Sequence, residues 1–449
     1  MRFVHDKKLL ALTAWMFMFT LGCWLCLFPA ASIAKDKYAT AAELGLMEGF
    51  PPPPDKRVTR ANALLTPPFI RWSYLHMRMI YPSAPVAAAD KSVAADKAID
   101  EGINGVKVKH PGTGAMIDMA TFLEESFTDA LVVIRGDKIV YEKYFNGMNP
   151  NQPHQMMSVT KSFAGLLGLI AVEDGYLREV DPITEYVPEL KKASAFADAT
   201  FGQVLDMTNS MEFTEDYADS MSGIRRYGAV LGWTDPVPGV KYEANLYDYL
   251  VTLKIDKKHK HGEIFHYQTP KTDVVNWVTN RVNGQSFQEE MYAKLWSKLG
   301  TAGETYVLLD KNATPVAGGG LNASPYNLAR FAIMMLNDGK FGGEQVVQPS
   351  IIRKLAAGGS IEAFDKGPDS DGVVHPKGEW SYRAQWWVKH TKGMEAFMAI
   401  GFNGQWIYLD VAHDVAIVKQ SSQPVSKDKV LNGMDLNAFY AIVSYLIQK

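Results

Sequence analysis

Apolar residues at Phe163, Leu166, Leu167 and Ile170 recur at helical spacing through 162–172, so the pattern predicts a buried helix opening from a polar loop at Ser158. Upstream, the pattern is that of a hairpin. Residues 130–135 read as a strand, Gly136-Asp137 as a two-residue turn and 138–145 as the returning strand. From 181 to 330 the signal is mostly helical and loop-like, with helices expected at 201–207, 245–253, 272–282, 287–299 and 325–336. Gly318-Gly319-Gly320 marks a tight turn before the last of these. No Gly-Lys-Ser/Thr follows it, so it does not read as a phosphate loop. Strands return at 396–402, 405–411 and 415–420, joined by Asn403-Gly404 and by 412–414, and 436–447 closes the chain as a helix. Strands at both ends around a helical middle predict an α+β fold. Its antiparallel sheet is built from both ends of the chain, with flanking helices and a mainly helical domain inserted between. The expected α/β domain is 69–180 with 331–449, and the inserted domain is 181–330. The Ser158 helix then falls at the seam, where ligand clefts concentrate.

The first 34 residues read as an address rather than as fold. Arg2, Lys7 and Lys8 precede a nearly unbroken apolar run, 9–28, and Ser32-Ile33-Ala34 offers small residues for cleavage before Lys35. This predicts an exported, periplasmic or secreted protein. The run is also long enough to serve as a retained anchor, which is the alternative. Cys23 after Leu21-Gly22 resembles a lipid-attachment site, but Thr20 and the long apolar run downstream argue against it. Residues 35–68 read as an extended segment, with prolines at 51–54 and at Pro67-Pro68.

Composition narrows the chemistry. Both cysteines, Cys23 and Cys26, lie in the leader, so the exported chain has no thiol, disulfide or cysteine metal site. The formal charge is −3; the leader carries three cations and one anion, so the exported chain is at −5. No basic excess points to nucleic acid, and no polybasic stripe or second apolar span points to a membrane beyond export or anchoring.

Ser158-Val159-Thr160-Lys161 carries the candidate chemistry. A serine and a lysine three residues apart on a helix share a face, so the ammonium reaches the hydroxyl. If the serine opens the helix, its backbone N–H is a free first-turn donor aimed at whatever the serine attacks. The spacing alone is cheap: Ser426-Lys427-Asp428-Lys429 repeats it among charges, with no apolar helix after it. The bland alternative for the first copy is a solvated pair on a helix N-terminus.

Beyond the tetrapeptide, the chain resembles the serine β-lactamase/penicillin-recognising superfamily, and within it the 6-aminohexanoate-dimer hydrolases and β-lactamase-like esterases. The resemblance runs from Arg71 to the C-terminus. It is carried by Arg71-Trp72 with His76 and Pro82-Ser83, Met157 to Ser162, Ile183 to Leu190, Val204-Leu205-Asp206-Met207 and Gln385-Trp386-Trp387. It implies a β-lactamase/transpeptidase-like fold and a catalytic trio of Ser158, Lys161 and Tyr267. Tyr267 matches the second box of the superfamily, with Thr269 in the small hydroxyl position. The third box falls on Ala399-Ile400-Gly401-Phe402, where Ala399 replaces the lysine that recognises a β-lactam carboxylate. By the same match the N–H of Phe402 joins that of Ser158 in the oxyanion hole. The resemblance further implies substrate contacts from Tyr217, Gly228, Gly318, Trp387 and Asn403. Gly228 stands where the most active dimer hydrolase has an ammonium-binding aspartate, and Gly318 where it has an asparagine. These departures leave hydrolase chemistry intact and point toward esters.

The implied partner is a small linear ester or amide, with no cofactor. His261, Glu263 and His266 match no zinc spacing. Ser158 would form an acyl-enzyme, and Lys161 would remove its proton only as a neutral amine. From a reference value near 10.4, a drop of about 3 units costs roughly 4 kcal/mol. Burial and the helix N-terminus both push that way, and Tyr267 would relay the proton to the leaving group. Two alternatives stand beside this reading: a β-lactamase or D-amino-acid carboxypeptidase, and a binding protein on a retired hydrolase fold. A Ser-His-Asp enzyme is disfavoured because no Gly-x-Ser-x-Gly elbow occurs.

Overall fold

The computed structural model describes residues 37–425 and 428–449. The leader and the first two residues of the Ser426–Lys429 repeat lie outside the described residues. Residues 40–449 form a compact unit built on an antiparallel sheet of seven strands. Counting only the strands of the two main sheets, these are β2 (Thr128–Arg135), β3 (Lys138–Tyr144), β7 (Trp380–Arg383), β8 (Trp386–Lys389), β9 (Ala396–Gly401), β10 (Gln405–Asp410) and β11 (Val415–Ser421). They lie in the order β7-β8-β9-β10-β11-β2-β3, so both ends of the chain do build one sheet, with β11 beside β2. The hairpin turns are where the sequence places them. Between β9 and β10, Gly401 pairs with Gln405, so the connection has three residues, Phe402 to Gly404; Asn403 and Gly404 carry φ of 60° and 84°, the left-handed backbone that favours these two residue types.

A second sheet orders β1 (Ser83–Val86), β5 (Thr305–Leu308), β6 (Leu321–Ala323) and β4 (His154–Gln155). The middle of the chain thus supplies two strands as well as helices. The difference has a simple cause: all seven residues of β5 and β6 are buried, so neither strand alternates in polarity. β7 and β8 hide for the same reason.

Five helices matter for the site: α1 (Val159–Glu173), α2 (Gly223–Leu231), α3 (Pro270–Asn283), α4 (Pro325–Leu336) and α5 (Lys429–Ile447). α5 begins seven residues before the expected 436 because Asp428 caps it, accepting the N–H groups of Val430 and Leu431. It buries Met434, Phe439 and Ile442 against the sheet face that carries Trp406 and Tyr408.

α1 is buried on every side from Val159 to Ala171, as a helix apolar all round must be. Gly165 allows the closest approach, since a Cβ there would stand 1.9 Å from the carbonyl oxygen of Ala384. Ser162 Oγ donates to Gln385 O at 2.7 Å, and Trp386 Nε1 donates back to Ser162 O at 3.0 Å. Asp206 holds the far side of the same β7–β8 turn, accepting from Ala384 N and from Arg383. Several sequence blocks of the resemblance therefore meet around α1. Arg71 works farther out: with His154 it clamps the buried Asp129 of β2, at 3.0 and 3.1 Å.

Candidate active site

Ser158 enters α1 directly after Met157, whose φ of 46° lies in the left-handed region. A non-glycine residue there is strained and persists only where its surroundings over-determine it. Those surroundings are Met156 N–H on Leu321 O at 2.9 Å and Thr160 Oγ1, which accepts from Leu321 N at 3.0 Å. β6 therefore pins the loop that leads into Ser158 from both sides of Met157.

Lys161 is 1 % exposed and brings Nζ to 2.9 Å from Ser158 Oγ, while donating to Gly318 O. The glycine turn of 318–320 has its role here: its first carbonyl anchors the lysine. Gly318 N–H in turn donates to Asp273 Oδ1 at 3.0 Å, and Tyr227 OH donates to Asp273 Oδ2 at 2.7 Å. Burial pushes Asp273 up to about 6, against the hydrogen bonds from Tyr227 and Gly318 and the attraction of Lys161. The sequence carries no signal for Asp273, because an acidic residue in the first turn of a helix reads as a favourable dipole contact. Its partners lie 45 and 46 residues away.

Tyr267 hydrogen-bonds Ser158, and its ring centroid is 5.2 Å from Lys161 Nζ. Burial pushes its phenol well above the ordinary range and Glu215 adds to the push, while the bond to Ser158 counters both. The phenol therefore holds its proton at neutral pH. Its loop is fixed from below: Lys271 donates to the carbonyls of Met207 and His266, and Tyr267 N–H donates to Asp369 Oδ2 at 2.9 Å.

Among the described residues, the backbone N–H groups of Ser158 and Phe402 have no acceptor within the chain. Both residues border the same cleft, which has two arms. One, of about 70 Å³, is lined by Leu64, Leu65, Ile224, Trp233, Gly228 and Gly318. The other, of about 310 Å³, is lined by Tyr267, Trp387, His375, Glu215, Asp369 and Asp371. Ser158, Tyr217 and Phe402 line both arms. Trp387 stacks on Tyr267 and His375, with centroids 5.5 and 4.7 Å apart.

The sequence-predicted residues are therefore brought together, with one exception. Asn403 accepts from Tyr74 OH at 2.8 Å and donates to Gln423 O, so its side chain holds the β9–β10 turn, and it is not among the residues that line either arm. Ala399 is fully buried under β9, leaving no cation where the third box has its lysine. Among the described residues, no group of three His, Cys, Asp or Glu side chains could hold a metal ion.

This geometry agrees with the chain's relatives. Residues 123–438 match the model of the beta-lactamase family. The chain is 32% identical over 357 residues to 6-aminohexanoate-dimer hydrolase of Paenarthrobacter ureafaciens, covering 80% of this chain and 86% of that one. A solved structure from Bacillus anthracis, provisionally named a 6-aminohexanoate-dimer hydrolase, is similar at a TM-score of 0.77 and 26% identity, over 87% of this chain and 97% of that one. The octameric penicillin-binding protein homologue of Pyrococcus abyssi shares the fold alone, at 18% identity and a TM-score of 0.51 over 74% and 75% of the two chains. With a serine at the head of its buried helix and a lysine against it, the chain belongs to the beta-lactamase family and is a hydrolase homologous to 6-aminohexanoate-dimer hydrolase.

Proposed function

We propose that the protein hydrolyses small linear esters and amides through an acyl-enzyme on Ser158. The observation that carries this reading is the 2.9 Å approach of the buried Lys161 Nζ to Ser158 Oγ. As a neutral amine, Lys161 keeps one N–H on Gly318 O and takes the hydroxyl proton on its lone pair. Oγ then adds to the carbonyl carbon, and the carbonyl electron pair moves onto its oxygen. That oxyanion is met by the N–H groups of Ser158 and Phe402, a contribution typically worth about 3–4 kcal/mol per donor. Collapse of the intermediate breaks the ester or amide bond. The departing alkoxide or amine takes its proton from Tyr267, which regains one from Lys161. Water attacks the acyl-enzyme by the same route in reverse and releases the acid.

Short-chain esters are the favoured substrates, because their leaving groups depart with less help than an amine does. Gly228 offers no anion to an ω-ammonium group, so 6-aminohexanoate dimer is expected to be cleaved weakly. Export is part of the proposal and rests on the basic start and apolar run of the first 34 residues. Cell fractionation checks it.

Steady-state kinetics on C2–C8 p-nitrophenyl esters, 6-aminohexanoate dimer and nitrocefin test the reading. Ester turnover that vanishes in Ser158→Ala supports it. Nitrocefin cleavage exceeding ester cleavage would favour a β-lactamase, and absence of turnover on every substrate would favour a binding protein.

A further inference from the structure

The narrow arm of the cleft has a charged mouth. α2 begins at Ser222, whose Oγ accepts Arg225 N–H at 3.4 Å, and this cap sets the helix over the arm. Arg225 and Gly228 are three residues apart and both line that arm. Arg225 also lines the adjoining depression with Tyr217, Phe402 and Val425, so it spans the boundary between the arm and solvent.

Among the described residues its charge is uncompensated. The next residue, Arg226, pairs with Glu243 at 2.8 Å. Among the described residues, Arg225 has no ion pair or side-chain hydrogen bond. Among the described residues, no carboxylate lines either depression that it borders, whereas Glu215, Asp369 and Asp371 all line the opposite arm. The other cation of the narrow arm, Lys161, is engaged with Ser158 and Gly318. The remaining wall is largely apolar, with Leu64, Leu65, Ile224 and Trp233. An apolar channel leading from a nucleophile to a half-buried guanidinium matches an alkyl chain that ends in an anion.

We propose that Arg225 is a carboxylate-recognising residue of the substrate site, so that the preferred substrates carry a short apolar segment ending in a carboxylate on the α2 side. This rests on the hydrolase reading of Ser158. The guanidinium forms the paired N–H contacts that a planar carboxylate accepts, and the leucine-lined wall takes the methylenes.

The test is binding to Ser158→Ala protein, which is independent of turnover. Hexanoate, hexylammonium and 1-hexanol are titrated by calorimetry into Ser158→Ala and into the same protein bearing Arg225→Gln or Arg225→Glu. In Arg225→Gln, hexanoate affinity should fall about tenfold to a hundredfold, with hexylammonium and hexanol within about twofold. Arg225→Glu should reverse the preference between hexanoate and hexylammonium. Hexanoate binding that is absent from the start, unchanged by Arg225→Gln, or lost in step with hexanol would overturn the proposal. A hydrolase that turns over esters while failing this test refutes only the Arg225 assignment. Hexanoate binding that depends on Arg225 in a protein without turnover refutes only the hydrolase reading.

Discussion

The two arms of the cleft share Ser158, Tyr217 and Phe402 and differ in their chemistry. The α2 arm is narrow, largely apolar and edged by one unpaired cation. The opposite arm is wide, aromatic and acidic, and its carboxylates are fixed by backbone. Glu215 accepts Thr269 N–H at 2.6 Å, and Asp369 accepts Tyr267 N–H. Asp371 accepts three N–H groups, from Val373, Val374 and His375, and pairs with Lys429 at 3.2 Å. These contacts outweigh burial and hold Asp371 down to about 2, so it stays ionised at any working pH. The contrast teaches how such a cleft divides its work. Ser158 and Lys161 come from a helix start and Phe402 from a hairpin end, whereas much of the lining of the two arms comes from loops and short helices.

Four experiments would break or sharpen that comparison. The largest effect belongs to Ser158, one of the three residues that both arms share. Ser158→Ala should lower ester turnover by about 10³-fold or more while leaving the melting temperature nearly unchanged. Burst-phase acylation surviving in that variant would remove the serine from the chemistry. Lys161→Ala should cost at least about 100-fold in kcat, typical of a lost general base. Near-normal turnover would leave the lysine a structural role.

The third experiment concerns the α2 arm alone. Gly228→Asp places a carboxylate where a Cβ would already stand 2.9 Å from Thr234 Oγ1, so Thr234 has to give way. It also creates an Asp three residues from Arg225, and the two would neutralise each other. The single change should therefore raise cleavage of 6-aminohexanoate dimer less than Gly228→Asp combined with Arg225→Gln. The double variant should gain about one further decade, with ester turnover within a few-fold. Steady-state kinetics on both substrates read this, and equal gains on dimer and ester would contradict an electrostatic cause.

The smallest effect is a shift of pH profile. Asp273 is raised toward 6 by burial, and its anion favours the ammonium form of Lys161. Asp273→Asn removes that anion while its side-chain oxygen still accepts Gly318 N–H. The neutral amine is then available at lower pH, so the acid limb of kcat/KM should move to lower pH, with the plateau changed by less than about tenfold. The same substitution bears on stability with a defined sign. A carboxyl raised in the folded state favours folding below its unfolded value near 3.9 and loses that advantage as pH rises through about 6. The asparagine variant should therefore unfold at a less pH-dependent temperature between pH 4 and 6. An unmoved acid limb would separate Asp273 from the base.

Much of this protein was legible from local pattern. The helix behind Ser158, the β2–β3 hairpin and the three strands β9 to β11 each follow from the spacing of apolar residues and from turn residues inside one short segment. The serine-lysine pair is local too, since three residues along a helix bring the groups together whatever surrounds them. Tyr267, Phe402, Tyr217 and Trp387 were recognisable only by resemblance, because nothing near each of them marks it out.

What pattern could not reach depends on contacts between distant segments. β7 and β8 are buried and do not alternate, so they lack the two-residue period of a half-exposed strand. Asp273 is coupled to Lys161 only because the fold carries Gly318 and Tyr227 to it. Arg225 looks like any helical surface arginine until the lining of the cleft leaves it without a carboxylate. Asn403 shows the converse, since a turn residue beside Phe402 hydrogen-bonds Tyr74 and Gln423. The sequence by itself determined the pairing of Ser158 with Lys161 and the local elements, because spacing along one helix or hairpin decides them. Only the tertiary structure decided which charges line the cleft, because a side chain's surroundings are set by segments far along the chain, as the 102-residue separation of Tyr267 and Asp369 illustrates.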